Sequence, residues 1–500
     1  MCSTLQGGSS GSCSATAAGG PSVVLLFYQY EDLGVPGAER MAEDQRRLGF
    51  DLGLRGRVLI APEGINGTVQ GSAEATAAYR AAVDAIVGAG AGCPAIDWKT
   101  SEGGAEALFP DFAVKEVPEL VGFGFHGRRG AGGAIDSVLD VRYEGGIHLA
   151  PEDFHRLLGE TPSEDLRIID VRNTFEYEVG HFDGALDPGM THTAQWPRFV
   201  DSHLEELRGK RVMMYCTGGI RCEKASAYLC RRLRETPPAM ANPGAEQPDP
   251  PYTPQMQNSV ASMEVYQLRG GIHRYLEAFP DGGRFRGANF VFDRRVQMRP
   301  EASGGADALA ESAGSRASIV GRCSECAAPW DAHHGGRVCC VCRTLVLVCD
   351  ACDEATSHGE YYCAEHGGLR GVYFHFLDRF GARELETQAA ALRGLIAGEV
   401  GPKRKNRRNT LRKKIEQIED RLRQLPHAVD TEPRTPPRRC RACERPYAEC
   451  PGACWGFWKD AGGSLAGVGG GRDIALAAAA ASVGASAQVL REAAMAVPCA

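Results

Sequence analysis

Residues 215–226 read "YCTGGIRCEKAS". The apolar run "RVMMY" precedes this stretch, and "CEKASAYLCRRLR", with helical periodicity, continues it. The chain therefore leaves a strand at Cys216, crosses Thr217, Gly218 and Gly219, and meets Arg221 and Cys222 on entering a helix. The first N–H groups of a helix lack intrahelical partners, and the helix dipole places partial positive charge beside them. Gly218 and Gly219 let the backbone curl without a Cβ clash. Arg221 adds a fixed cation. A sulfur at Cys216 would sit in an anion cradle that favours its thiolate, as a nucleophilic cysteine requires.

The flanking sequence supplies the frame. Across 136–290, "EDFHRLLGE", "AQWPRFVDSHLEELRGK" and "CEKASAYLCRRLR" read as helices, and "DLRIIDVRN", "RVMMYC" and "EVYQL" as strands. Such alternation predicts an α/β domain with a parallel sheet. A Pro-rich, aperiodic stretch, 235–263, reads as a disordered insertion. Asp170 and Arg172 end the strand "IIDVR", on the sheet edge where open α/β folds bind ligands. Arg172 either holds a substrate phosphate or pairs with Asp170 or Glu176. Cys222 either resolves an oxidised or persulfidated Cys216 or simply packs. Cys230 reads as core.

Residues 22–125 form a separate α+β unit. "SVVLLFYQY", "RGRVLIAPEGINGTVQGS" and "DFAVKEVPELVGF" supply strands, and "AERMAEDQRRLGFDLG" and "AEATAAYRAAVDAIVGAG" supply helices. The order β-α-β-β-α-β predicts a ferredoxin-like, acylphosphatase-like domain. Residues 1–21 read as a disordered tail, with an organelle transit peptide left open.

"DVRNTFEYEVGHFDGA", "MMYCTGGIRCEKASAYL" and "VYQLRGGI" together resemble the rhodanese domain, whose active-site loop would run from Cys216 to Arg221. Related phosphatases place five residues between cysteine and arginine; here there are four. Glu176, His181 and Gly184 match the rhodanese pattern, with His181 read as fixing a turn. With "APEGINGTVQGS" ahead and "RFRGANFVFDRRV" and a Cys-rich segment behind, the chain resembles the tRNA uridine hydroxylase family, in an extended, eukaryotic-like form. The resemblance covers about 22–366 and implies oxygen-dependent formation of 5-hydroxyuridine at the wobble position of tRNA, with dioxygen as co-substrate. It also implies that Glu63, Asn66 and Thr68 line the RNA or active-site surface. A sulfurtransferase moving sulfur through Cys216 is the competing enzyme, and a non-catalytic zinc and RNA scaffold is a third reading.

Eight of the 19 cysteines fall in 323–366. Cys323, Cys326, Cys349 and Cys352 form two C-x2-C knuckles with zinc-ribbon spacing, so structural zinc is expected. Cys339, Cys342 and Cys363, with Cys340, His333, His334 and His366 nearby, supply donors for a second ion. Cys440, Cys443, Cys450 and Cys454 form a further cluster, and 455–500 is low-complexity. Residues 403–425 carry ten basic and three acidic side chains. Leu411, Ile415, Ile418, Leu422 and Leu425 align on one face of a helix there. Arg407, Arg408, Lys413 and Lys414 are the expected phosphate contacts, with a nuclear-import signal as the alternative. A net charge of −7 confines any nucleic-acid surface to such local patches. No run reaches the ~18 apolar residues of a membrane helix, and paired thiols without a secretion signal suit a reducing compartment, so a cytoplasmic location is expected.

Overall fold

The computed structural model describes residues 22–87, 95–104, 107–125, 139, 141–235, 264–293, 297–300, 319–355, 360–369, 377, 380–398 and 405–425, with the backbone alone at 405–407. The N-terminal tail, the Pro-rich insertion, the cluster at 440–454 and the tail at 455–500 lie outside the described residues.

The first unit runs β1 (Ser22–Tyr30), α1 (Gly34–Asp51), β2 (Arg55–Ala61), β3 (Gly64–Gly71), α2 (Ala73–Val87), β4 (Lys99–Gly104) and β5 (Phe112–Glu116). Its sheet order is β4-β1-β3-β2-β5. The first four strands have the expected ferredoxin-like order, but the closing strand is β4, not the strand in "DFAVKEVPELVGF". That segment adds β5, parallel to β2, at the opposite edge. β4 reads "KTSEGG", polar and without a β-branched run, which suits an edge strand and hides it from propensity.

Strand alternation gives this sheet two different faces. Leu25, Phe27, Val58, Ile60, Ile65 and Val69 enter a core with Met41 of α1 and Tyr79 and Val83 of α2. Tyr28 lies opposite Asn66, Leu26 opposite Thr68 and Lys99, Arg57 opposite Thr68, and Leu59 opposite Asn66. Opposed residues share a face, so these side chains turn together toward the second domain. Tyr30, Leu59 and Ala61 join one continuous core with Ile169, Val212, Met214 and Cys216.

The second domain holds α3 (Val141–Glu144), β6 (Ile147–Leu149), α4 (Pro151–Glu160), β7 (Leu166–Asp170), α5 (Thr174–Tyr177), β8 (Gly180–Phe182), α6 (Trp196–Leu207), β9 (Arg211–Tyr215), α7 (Ile220–Glu235), β10 (Val265–Leu268) and α8 (Gly271–Ala278). Its main sheet, β6-β10-β9-β7, is parallel throughout. Asp170 pairs with Tyr215, so β7 and β9 end side by side at the edge carrying Cys216. β11 (Phe285–Gly287) pairs with β8, and β12 (Asn289–Phe290) with β13 (Gln297–Met298), bringing the following chain back over that edge.

The Cys-rich segment contains α9 (Asp350–Ala355) and packs against α10 (Ala382–Gly398) and α11 (Lys405–Gln424). Leu411, Ile415 and Ile418 share its core with Leu385, Leu392, Cys339 and Val348, so the apolar stripe of the basic helix docks within the chain. Among the described residues no helix is long and apolar enough to cross a membrane.

Candidate active site

The loop from Cys216 to Arg221 is held from three sides. From α8, the Ile272 N–H donates to the Cys216 carbonyl at 2.9 Å and the His273 N–H to that of Thr217 at 3.1 Å. Gly271, at φ +66°, lies so close that a Cβ there would meet the Cys216 carbonyl at 2.4 Å. Gly219, at φ +102°, is the loop glycine whose backbone excludes a side chain; a Cβ would also meet the Tyr28 hydroxyl at 2.8 Å. Gly218 lacks a positive φ, and Leu26 of β1 sits against it.

Cys216 is fully buried, and the Gly219 N–H donates to its sulfur at 3.1 Å. Burial alone would push its thiol up. The Cys222 S–H donor, the Arg221 charge and the N–H groups of Cys222 and Arg221 outweigh burial and bring it to about 5. Burial, together with the Cys216 sulfur, pushes Cys222 the other way, well above the ordinary thiol range. At neutral pH the pair is therefore a thiolate beside a thiol. Cys230 is buried in the core.

Glu176 of α5 fixes Arg221. Its carboxylate accepts from both terminal nitrogens of Arg221, at 2.7 and 2.8 Å, in a fully buried fork. Arg221 also donates to the Thr217 hydroxyl at 3.1 Å. Arg172 has no comparable access to a ligand. Its guanidinium is buried, makes three hydrogen bonds to the Asp170 carboxylate and donates to the Gly180 carbonyl, so it pairs with Asp170 as one of the expected alternatives has it. His181 stacks on Tyr177 and bonds its carbonyl, within the turn it was expected to fix.

A cleft of about 810 Å³, open mouth included, lies over Cys216. Leu26, Tyr28, Arg57, Asn66 and Thr68 line it from the first domain, Thr217, Gly218, Arg221 and His273 from the second, and Phe292, Asp293 and Met298 from the returning chain. Asn66 and Thr68 thus reach the site. Glu63 does not: it pairs with Lys224 at 2.7 Å and accepts the Leu120 N–H. Lys224 also meets Glu119 at 3.2 Å, and Tyr28 donates to Glu223 at 3.0 Å. Glu223 and Lys224, just past the loop, therefore form a clasp between the domains, beside the Arg274–Asp97 pair at 2.6 Å.

Residues 22–120 match the family described as UPF0176 acylphosphatase like domain, 150–278 the Rhodanese-like domain, and 286–366 the Rhodanase C-terminal family. A tRNA uridine(34) hydroxylase from an Arthrobacter strain is 34% identical over 348 residues, which span 68% of this chain and 97% of that protein. The chain belongs to this hydroxylase family. A Corynebacterium kroppenstedtii member of the same name is 34% identical over 346 residues, 68% of this chain and 96% of its own. Rhodanese-like domain-containing protein 6 of Arabidopsis thaliana is 32% identical over 368 residues, 69% of this chain; the chain spans about half that protein's length, 53%. Each matched segment of the hydroxylase-family chain contributes to the cleft, with Asn66 from the first, Cys216 from the second and Met298 from the third.

The Cys-rich segment gathers two separate quartets. Cys323, Cys326, Cys349 and Cys352 form one, and Cys339, Cys342, Cys363 and His366 the other, each with donor atoms within 4.8 Å of one another. Cys326 and Cys349 are 3.7 Å apart between sulfurs, as are Cys342 and Cys363. Thiolates set tetrahedrally about 2.3 Å from zinc would stand about 3.8 Å apart, so the residues fit that ion. The ligands interleave along the chain. His333 is no ligand here. It is buried against Phe175 and Phe290, its Nε2 2.7 Å from the Phe175 carbonyl, and burial pulls its pKa down to about 4. The His334 ring accepts the Gly336 N–H, and Cys340 packs in the core.

The expected phosphate contacts divide. Lys413 is exposed and Arg408 half-buried, whereas the Arg407 side chain lies outside the described residues. Lys414 is corrected: it is 4% exposed, on the docked face, and burial pulls its pKa down to about 8. It follows Leu411 by three and precedes Ile418 by four, so helical spacing itself turns it inward.

Proposed function

We propose that the chain is a tRNA-modifying enzyme that hydroxylates wobble uridine to 5-hydroxyuridine with dioxygen, using Cys216 as nucleophile. The observation that carries this reading is the cleft between the domains. Cys216 shares its lining with Tyr28, Phe109 and Phe292, aromatic side chains of the kind on which a splayed base stacks, and this supports the reading. A sulfurtransferase needs only a sulfur donor at the same cysteine and has no use for such walls.

The residues support one balanced route. The Cys216 thiolate adds to C6 of uracil, and C5 gains enolate character and takes up dioxygen. Loss of water leaves a carbonyl at C5. Cys222 then attacks the Cys216 sulfur and breaks its bond to C6. That electron pair enters the ring, 5-hydroxyuridine departs, and a Cys216–Cys222 disulfide remains for a cellular thiol to reduce. Uridine, dioxygen and two thiols thus give 5-hydroxyuridine, water and a disulfide. Cys222, held as a thiol against Cys216, suits the reductant's role. Arg221, with Glu176 fixing it, Thr217, Gly218 and Gly219 hold the thiolate, while Asp170 and Arg172 support the loop from β7.

We further assign structural zinc to both quartets, and tRNA phosphate contacts to Arg407, Arg408 and Lys413. The test is nucleoside mass spectrometry of tRNA incubated with the protein under isotopically labelled dioxygen. Labelled 5-hydroxyuridine that disappears with Cys216→Ser is expected. Thiosulfate-dependent sulfur transfer without hydroxylation would replace this reading with the sulfurtransferase.

A further inference from the structure

Asn66 stands out among the polar groups of the cleft. Its side chain is 95% removed from solvent, at 5% exposure, yet it lines the open space above Cys216. Arg57 is tied to Asp111 and Thr217 to Arg221. The Asn66 amide makes no hydrogen bond to another described residue, and its place in the cleft lining leaves it available to a ligand. β3 fixes its direction. Asn66 lies opposite Tyr28 and Leu59, while Ile65 and Gly67, its neighbours in the strand, turn into the other core.

Resting on the hydroxylase reading, we infer that Asn66 grips the N3–H and O4 edge of the target uracil. A carboxamide offers one acceptor for N3–H and one donor for O4, side by side, and so pairs with that edge through two hydrogen bonds. N3 lies across the ring from C6. An amide that holds N3 and O4 from the first domain leaves C6 on the far side of the ring, and Cys216, just past β9, lines the cleft from the second domain. Tyr28, Phe109 and Phe292 supply stacking surface for the ring between them. Thr68, two residues on and on the same face, is a hydroxyl within reach of the same ligand.

The probe is an anticodon stem–loop RNA with uridine at the wobble position, and the readout is protection of Cys216 from iodoacetamide, followed on its peptide by mass spectrometry. The uridine RNA should protect the wild-type thiol. Asn66→Ala should weaken that protection about tenfold or more, the worth of a two-bond pairing to a base edge. Asn66→Asp should also weaken protection, because a carboxylate still accepts from N3–H but repels O4. Thermal melting of both variants reports folding. Unchanged protection in Asn66→Ala or in Asn66→Asp, or failure of the uridine RNA to protect the wild type, overturns the assignment. Protection that depends on Asn66 in a protein that forms no 5-hydroxyuridine leaves the base contact standing and removes the hydroxylase reading instead.

Discussion

Two regions of this chain use cysteine in opposite ways. At Cys216 one buried sulfur is surrounded by N–H groups, an S–H donor and an arginine, so its negative charge is met by the protein itself. In the Cys-rich segment eight donors stand in two quartets, with sulfurs 3.7 Å apart in the Cys326–Cys349 and Cys342–Cys363 pairs. Thiolates so crowded repel one another unless a cation lies between them. The first arrangement suits the nucleophile proposed for Cys216, and the second suits the metal-held scaffold proposed for the quartets. The residue type decides neither outcome; the neighbours do.

The largest expected effect separates the two at once. Cys216→Ser should lower 5-hydroxyuridine formation by about three orders of magnitude or more, since a serine hydroxyl stays protonated in the same cradle. Its metal content and melting temperature should match wild type. Appreciable turnover by this variant breaks the comparison on the catalytic side.

Glu176→Gln comes next. It strands the Arg221 charge in the core, and opening a buried ion pair in this way costs about 3–5 kcal/mol. Denaturant unfolding should show that loss. A variant as stable as wild type would mean that the fork is not what holds the loop.

On the scaffold side, Cys349→Ser and Cys342→Ser should each remove one zinc of two by elemental analysis of tag-free protein. Either loss should also expose α11 to trypsin, because Leu411, Ile415 and Ile418 share a core with Cys339 and Cys349. A single ion in the wild type would reduce the two quartets to one functional site.

The smallest effect concerns RNA affinity. Replacing Arg407, Arg408 and Lys413 with Gln should flatten the salt dependence of tRNA binding by up to about three contacts' worth. Lys414→Gln should leave the slope unaltered, since that side chain faces inward. Identical slopes for the triple variant and wild type would remove the RNA-contact reading and leave the import signal.

Much of the Cys216 loop was legible because its parts are neighbours in sequence. Cys216, the glycines and Arg221 lie within six residues, and strand-then-helix patterning alone makes them converge. The rest of the site was dispersed. Tyr28, Arg57 and Phe292 read as ordinary strand or loop residues, and only the packing of one sheet face on the second domain brings them to Cys216. Period-two alternation along "INGTVQ" did carry a signal, since Asn66 and Thr68 fall on the face opposite Ile65 and Val69. Which face met the active site was not in that pattern. Glu223 and Lys224 were visible as part of a specific motif, but their role as a clasp depends on Tyr28, Glu63 and Glu119, distant in the chain. The second quartet needed His366, which lies three residues past Cys363 and was one of several histidines in range.

The most direct test is the pH dependence of Cys216 alkylation in the free protein, read on its own peptide by mass spectrometry. Only the thiolate reacts, so the rate follows the ionised fraction. A midpoint near pH 5 is predicted, moving upward in Cys222→Ala because removing a donor to the thiolate disfavours the charged form. A midpoint in the ordinary thiol range, about 8.5, in the wild type would contradict the claim that this loop holds an activated nucleophile.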